Sequence, residues 1–394
     1  MVLSQQIAGY LEASSWIRKM FEEGARLKSQ YGPEAVCDFS LGNPDVSPPE
    51  DFLQALKAAA EEESPGVHGY MPNAGYPFVR ETMARRVSKE QGVETPAENI
   101  VMTCGAAGAL NVVFKAILEP GDEVIFPSPF FVEYRFYVEN HQGRPIPVPS
   151  KADFHLDLEA LEKALGPRTR AVLINSPHNP TGQVYDLEEL KGLAELLTAA
   201  SKRQGRPIFL ISDEPYRRLT FDGQSPPALF PLYPQTIVIN SFSKEISIPG
   251  ERLGYLALNP EAEGVAELMA AFILANRILG FVNAPALMQR AVARCPEASV
   301  DVGIYQRRRD LFCEILREAG YQFVVPRGAF YVFPRTPLED DVAFCRLLAE
   351  EKILAVPGRG FGAPGHMRLA FCVEESVIER SREGFKRAME RAQG

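Results

Sequence analysis

Lys244 stands in Ser241-Phe242-Ser243-Lys244, directly after the apolar run 236–241, and is followed by Gly250, Arg252 and Gly254. A primary amine flanked by two hydroxyls, with a guanidinium eight residues on, can hold a phosphate beside a nucleophilic nitrogen. A surface lysine beside a serine helix cap has the same local signature. Upstream, Asp213-Glu214-Pro215-Tyr216 follows the apolar run 208–211, so Asp213 sits at the carboxyl end of a buried strand. A carboxylate there is costly unless a cation pairs with it, and a protonated pyridine nitrogen is such a cation. The other reading of Asp213 is a helix cap. Asn179-Pro180-Thr181-Gly182 follows the strand expected at 171–175, either as a plain turn leading to a helix at Asp186 or as a turn that aims an amide at a phenolic oxygen.

Two further features belong with these. Cys104-Gly105-Ala106-Ala107-Gly108-Ala109-Leu110 is a small-residue turn entering a helix, where free backbone N–H groups favour a phosphate; tight packing of helix on strand explains it equally well. Arg368 lies in the apolar run 367–371, where a bidentate carboxylate partner would justify burial, and an edge strand facing water would need none. Gly358-Arg359-Gly360-Phe361-Gly362 starts like a dinucleotide fingerprint, but Ala363 holds the sixth position and no βαβ pattern flanks it. His68, His141, His155, His178 and His366 show no metal-ligand spacing, and His178 reads as a surface-loop histidine beside the asparagine turn.

These residues need strand ends and helix starts to hold them. Helices are expected at 14–28, at 50–63 with Phe52, Leu53, Leu56 and Ala60 on one face, and at 76–91. Strands are expected at 99–103, 123–126, 171–175, 207–212 and 236–241, with a helix opening at Gly105. Strand and helix keep alternating, which predicts an α/β fold with a mostly parallel sheet and ligands at the carboxyl ends of its strands. After about residue 290 the pattern changes to a charged helix at 305–318, a β-rich stretch at 323–333 and a strand at 367–371. The expected division is a large domain over 46–290 and a smaller, discontinuous α+β domain from 1–45 and 291–394.

The 394 residues are 46% hydrophobic and 24% charged, the composition of a folded globular chain rather than a disordered or fibrous one. Forty-two basic against fifty-one acidic residues give a net charge of −9, the wrong sign for nucleic acid or anionic lipid. The six cysteines form no CxxC or zinc pattern and read as free thiols of a reducing compartment. No signal-peptide core is visible, and no apolar run reaches the roughly 20 residues of a membrane span, so a cytoplasmic protein is expected.

Taken in order, NPTG at 179–182, DEPY at 213–216, SFSK at 241–244, GxRxG at 250–254 and Arg368 resemble the class I and II aminotransferases. The resemblance runs from about Asp38 to Cys372. It implies the pyridoxal-5′-phosphate (PLP) transferase fold of type I, with a seven-stranded sheet between helices, and a ping-pong exchange of an amino group between an amino acid and a 2-oxo acid. It assigns Lys244 as the covalent PLP lysine and general base, and Asp213 as the partner of the pyridinium nitrogen. Asn179 and Tyr216 match hydrogen-bond donors to the ring's phenolic oxygen, and Phe131 matches the ring-stacking aromatic. Ser241, Ser243, Arg252 and the backbone at Gly105, Ala106 and Ala107 match the phosphate site. Tyr70 matches a tyrosine that reaches the other subunit's phosphate, which implies a homodimer with shared active sites. Arg368, Gly42 and Asn179 match substrate contacts, the first two on the α-carboxylate. Ala106 and Ala107 stand where many relatives carry a hydroxyl, so backbone amides carry more of the phosphate.

Aspartate or another dicarboxylate is the expected donor, with Arg277 or Arg18 as a second carboxylate contact; either arginine reads equally as a surface residue. A PLP-dependent β-lyase on the same fold is the alternative, since the same carbanion can eliminate instead. A PLP or amino-acid sensor without activity is a third reading, against which stands the lack of a basic DNA-binding segment before Asp38.

Overall fold

In a computed structural model of the chain, residues 2–13 and 15–394 are described, the side chains of 12–21 and 23 excepted. Ser14, where the first expected helix begins, and the Arg18 side chain lie outside the described residues. The chain divides into a larger unit, Pro44–Gly303 with Pro326–Ala329, and a smaller unit, Met1–Asn43, Ile304–Val325 and Phe330–Gly394. Its strands are β1 (Cys37–Asp38), β2 (Ile100–Thr103), β3 (Glu123–Ser128), β4 (Arg144–Pro149), β5 (Thr169–Asn175), β6 (Phe209–Asp213), β7 (Thr236–Ser241), β8 (Gly254–Leu258), β9 (Tyr331–Val332), β10 (Ile353–Leu354), β11 (Val356–Pro357) and β12 (Met367–Ala370).

In the larger unit a seven-stranded sheet has the order β2-β8-β7-β6-β5-β3-β4. β8 is antiparallel to both neighbours, and the other pairings are parallel. Its central strands read as unbroken apolar runs because helices cover both faces. Along β5, Ala171 and Leu173 join one core cluster, while Val172 and Ile174 join another. The first cluster takes Leu110, Val113 and Phe114 from helix Gly105–Ile117 and Met269 and Phe272 from helix Val265–Ile278. The second takes Leu190, Leu193 and Leu197 from helix Leu187–Gln204, whose start is fixed by a capping box between Asp186 and Glu189.

Three departures from the expected elements have physical causes. β4, Arg-Pro-Ile-Pro-Val-Pro, carries three prolines and breaks the usual strand signature; it survives because it is an edge strand, where a missing N–H costs no ladder bond. β8 hides in the sequence because the glycine and arginine before it read as a loop. Helix Glu50–Ala60 buries Phe52, Ala55 and Ala59 and leaves Leu53 41% exposed, so the core stripe is rotated toward the small residues and away from the expected face.

The smaller unit pairs β1 with β10 in parallel and builds an antiparallel sheet in the order β11-β12-β9. Its core is aromatic: Phe39 packs on Phe312 at 4.6 Å between ring centroids, and Phe385 contacts Phe312 and Tyr321 at 5.7 Å each. The β-rich stretch expected at 323–333 reduces to the two residues of β9. Pro326 and Gly328 break it.

Candidate active site

β6 delivers Asp213 to the carboxyl end of the sheet, opposite Asn175 of β5. Asn175 ties two chain segments together: its Nδ2 donates to the Asp213 carbonyl at 2.7 Å, and its Oδ1 accepts from the Asn179 backbone N–H at 2.8 Å. The Asp213 carboxyl accepts one hydrogen bond, from the Tyr134 hydroxyl to Oδ2 at 2.6 Å. Its Oδ1 is buried with no hydrogen-bond partner. Burial pushes the carboxyl up to about 7, Tyr134 pulls it down and the Glu214 charge pushes it up again. An acid so placed is set to receive a cationic donor at Oδ1. The helix-cap reading of Asp213 fails, because Asp213 ends a strand and its carboxyl caps no backbone N–H.

Asn179 and Tyr216 are both buried, at 5% and 3% exposure. Phe131 packs edge-on against Tyr134, with centroids 5.5 Å apart and planes at 82°. His178, expected on a loop surface, is instead buried, hydrogen-bonded with Thr181 Oγ1 at 2.8 Å, and pushed down to about 3 by burial, so it stays neutral. Its neighbours explain the correction, since residues 171–185 are all buried.

β7 ends at Ser241, whose hydroxyl accepts from the Ser243 N–H at 3.2 Å and lies 2.7 Å from the Ser243 hydroxyl. This caps the helical turn Phe242–Glu245, which carries the half-buried Lys244. A second turn then sets Arg252 in the left-handed region at φ 53°. Glycine is required on either side of the space Arg252 faces. A Cβ on Gly105 would lie 3.1 Å from Arg252 Nη2, and one on Gly254 would lie 2.6 Å from the Asn240 carbonyl and 2.7 Å from the Gly105 carbonyl carbon. The exposed guanidinium of Arg252 therefore lies beside the first turn of helix Gly105–Ile117, whose backbone N–H groups at Gly105, Ala106 and Ala107 carry no side-chain cap. Backbone donors, two hydroxyls and a cation make an anion cradle.

In the smaller unit Arg368 sits on β12, the central strand of its sheet, and is 9% exposed, so it is not an edge arginine facing water. Its Nη2 donates to the Ser40 carbonyl at 2.8 Å, and its guanidinium lies over the rings of Tyr331 and Phe361 at 4.7 and 4.8 Å. A Cβ on Gly42 would overlap the Tyr331 hydroxyl, so Tyr331 touches both Gly42 and Arg368.

Other expected residues stand differently. Tyr70 is 94% exposed on the larger unit, and Arg277 is exposed in the last turn of helix Val265–Ile278. His155, Asp186 and Glu189 cluster within reach of one another although the sequence shows no metal spacing. Their groups already have structural work: Glu189 and Asp186 cap a helix, and Arg327 Nη1 donates to Asp186 at 3.0 Å. Tyr134, Asn175 and Tyr331 escaped the sequence reading. Only Tyr134 left a signal there, as a further aromatic three residues after Phe131 in the same stretch.

The profile of the family described as Aminotransferase class I and II matches residues 34–385. A probable aspartate/prephenate aminotransferase from Aquifex aeolicus is 36% identical over 370 residues, 90% of this chain and 91% of that protein. A crystal structure of an amino transferase from Eubacterium rectale superposes with a TM-score of 0.95 at 38% identity, covering 100% of both chains. The aspartate aminotransferase from Thermus thermophilus solved with maleate gives 0.87 at 31% identity, over 98% of this chain and 100% of that one.

Proposed function

Because this chain belongs to the class I and II aminotransferases, and is a PLP-dependent aminotransferase of fold type I, we propose the following roles for its residues and L-aspartate as its amino donor. The observation that carries the assignment is the buried, unpartnered Asp213 Oδ1, which fits the protonated ring nitrogen of PLP. The anion cradle of Ser241, Ser243, Arg252 and the Gly105–Ala107 backbone fits the cofactor's phosphate, and Phe131 fits the face of its ring. Asn179 and Tyr216 hold its phenolic oxygen. When bound, PLP supplies the aldehyde that carries the amino group and a conjugated ring that accepts the electron pair left at the substrate's Cα.

The protein does the rest. Arg368 binds the substrate's α-carboxylate through its guanidinium fork, and the backbone at Gly42 and the Asn179 side chain are the other substrate contacts. The Lys244 amine takes the proton from Cα and then delivers it to the cofactor's C4′ carbon, acting as base and then as acid. Asp213 keeps its negative charge where positive charge must persist, which holds the electron sink open. Tyr134 keeps that carboxylate oriented through Oδ2.

The donor assignment rests on relatives named aspartate aminotransferases, one of them solved with a dicarboxylate. Arg277 is the proposed contact to the distal carboxylate. Neither the β-lyase nor the sensor reading is favoured by those relatives. A homodimer in which Tyr70 completes the partner's phosphate site is supported by the 94% exposure of that side chain in a single chain. Free cysteines throughout support a cytoplasmic enzyme; no helix among the described residues is long and apolar enough to cross a membrane. The test is a series of visible spectra with single amino acids. Aspartate is expected to bleach the PLP absorbance at the lowest concentration, and Arg277→Ala to remove its advantage over alanine. An unchanged preference in that variant overturns the Arg277 assignment, and a preference for alanine in the parent overturns the donor.

A further inference from the structure

A chain of buried charges runs beneath the site and takes no part in the chemistry above. Arg86, on helix Pro77–Gln91, donates to Glu245 Oε2 at 2.5 Å and to Glu90 Oε1 at 3.1 Å. Arg218 donates to the same Glu90 oxygen at 3.0 Å and lies 3.9 Å from Glu245 Oε2. Arg217 lies 3.9 Å from Glu90 Oε2 and donates to Glu214 Oε2 at 2.9 Å; the other Glu214 oxygen accepts from Ser212 at 2.9 Å. Three guanidinium groups thus meet three carboxylates, with side-chain exposures between 1% for Arg86 and 17% for Arg218.

The two ends of this chain are the sequence neighbours of the two central residues: Glu245 follows Lys244, and Glu214 follows Asp213. Buried ion pairs are commonly no more stabilising than apolar residues of the same volume, so stability does not account for six of them. What they supply is geometry, because forked guanidinium groups with several partners hold fixed positions. Arg217 adds to this by donating to the carbonyls of Glu90 and Pro226 at 2.9 and 3.1 Å. We propose that the Arg86–Glu90 centre of this cluster is a positioning device, locking the turn that carries Lys244 to the turn that follows Asp213 so that amine and carboxylate keep one separation while the proton moves. The inference rests on the roles proposed for Lys244 and Asp213.

The test replaces the buried pair by apolar residues of similar volume, Arg86→Met with Glu245→Met, in the PLP-loaded enzyme. Folding is expected to survive. PLP release is expected to quicken, and kcat to fall with KM little changed, each by about 10- to 100-fold, the range seen when groups that orient first-contact ligands are removed. The pH midpoint of the visible PLP absorbance is expected to move as well, which loss of packing alone would not cause. A folded double variant whose release rate, absorbance midpoint and kcat match the parent overturns the proposal. If the double variant does not fold, Arg86→Lys, which keeps the charge and drops the fork, decides by the same readouts. Lys244→Ala is run alongside: turnover surviving there removes the underlying assignment, whereas an inactive Lys244→Ala beside a parent-like double variant removes the positioning device alone.

Discussion

Asp213→Asn offers the sharpest physical test, because its effect has a sign that depends on pH and on cofactor. Folded and without PLP, the carboxyl holds its proton up to about pH 7; its ordinary value is 3.8. Between those values the folded protein binds more proton than the unfolded chain, so this group's contribution to stability falls as pH rises through the window. About three units at 1.36 kcal/mol each give a total of about 4 kcal/mol, of which about 2 fall between pH 5 and pH 7. Asparagine removes this dependence and keeps an oxygen for the Tyr134 hydroxyl. Urea unfolding of the cofactor-free proteins at pH 5, 6, 7 and 8 measures it: the stability of the parent relative to Asp213→Asn should decline by about 3 kcal/mol across the range and then level off. Adding PLP should flatten the decline in the parent, since a pyridinium at Oδ1 restores the ordinary preference for the ionised form. A difference that stays constant with pH, or one that PLP leaves untouched, would refute the reasoning.

Tyr134→Phe removes the one hydrogen bond to the Asp213 carboxyl and should cost about 1–3 kcal/mol of cofactor-free stability at pH 8, with the carboxyl pushed higher still; a chemical-denaturation curve checks it. Gly254→Ala drives a methyl into the Asn240 and Gly105 backbones and should weaken PLP binding by at least about tenfold, because neither backbone can yield without moving the cradle; equilibrium dialysis of the cofactor decides. Tyr331→Leu removes a ring beneath Arg368 and the contact at Gly42, and should raise KM for amino donors by about tenfold with the PLP spectrum unchanged. An unchanged KM in that variant would sever Tyr331 from the carboxylate site.

The parts of the fold legible in the sequence are those whose physics is local. β5, β6 and β7 show themselves as unbroken apolar runs, and the chemically suggestive residues Asn179, Asp213 and Lys244 stand just past or at their ends. β4 was hidden because its three prolines are tolerated only at an edge, and edge position is a property of the whole sheet. The rotation of helix Glu50–Ala60 was hidden because alanines carry little periodic signal. Tyr134 touches Asp213 across 79 residues and Asn175 touches it across 38, contacts that no spacing rule reaches. The burial of His178 and Arg368 likewise depends on neighbours brought in by folding, whereas the sequence shows only a histidine in a turn and an arginine in a strand.

The central claim is that Lys244 carries the cofactor and moves the proton, and borohydride fixation of the PLP-loaded enzyme followed by peptide mapping tests it most directly. The expected label sits on the peptide containing Lys244, and Lys244→Ala should bind PLP without fixation and lose nearly all turnover. Label on another lysine, or a Lys244→Ala variant that exchanges amino groups at a rate comparable with the parent, would contradict the account.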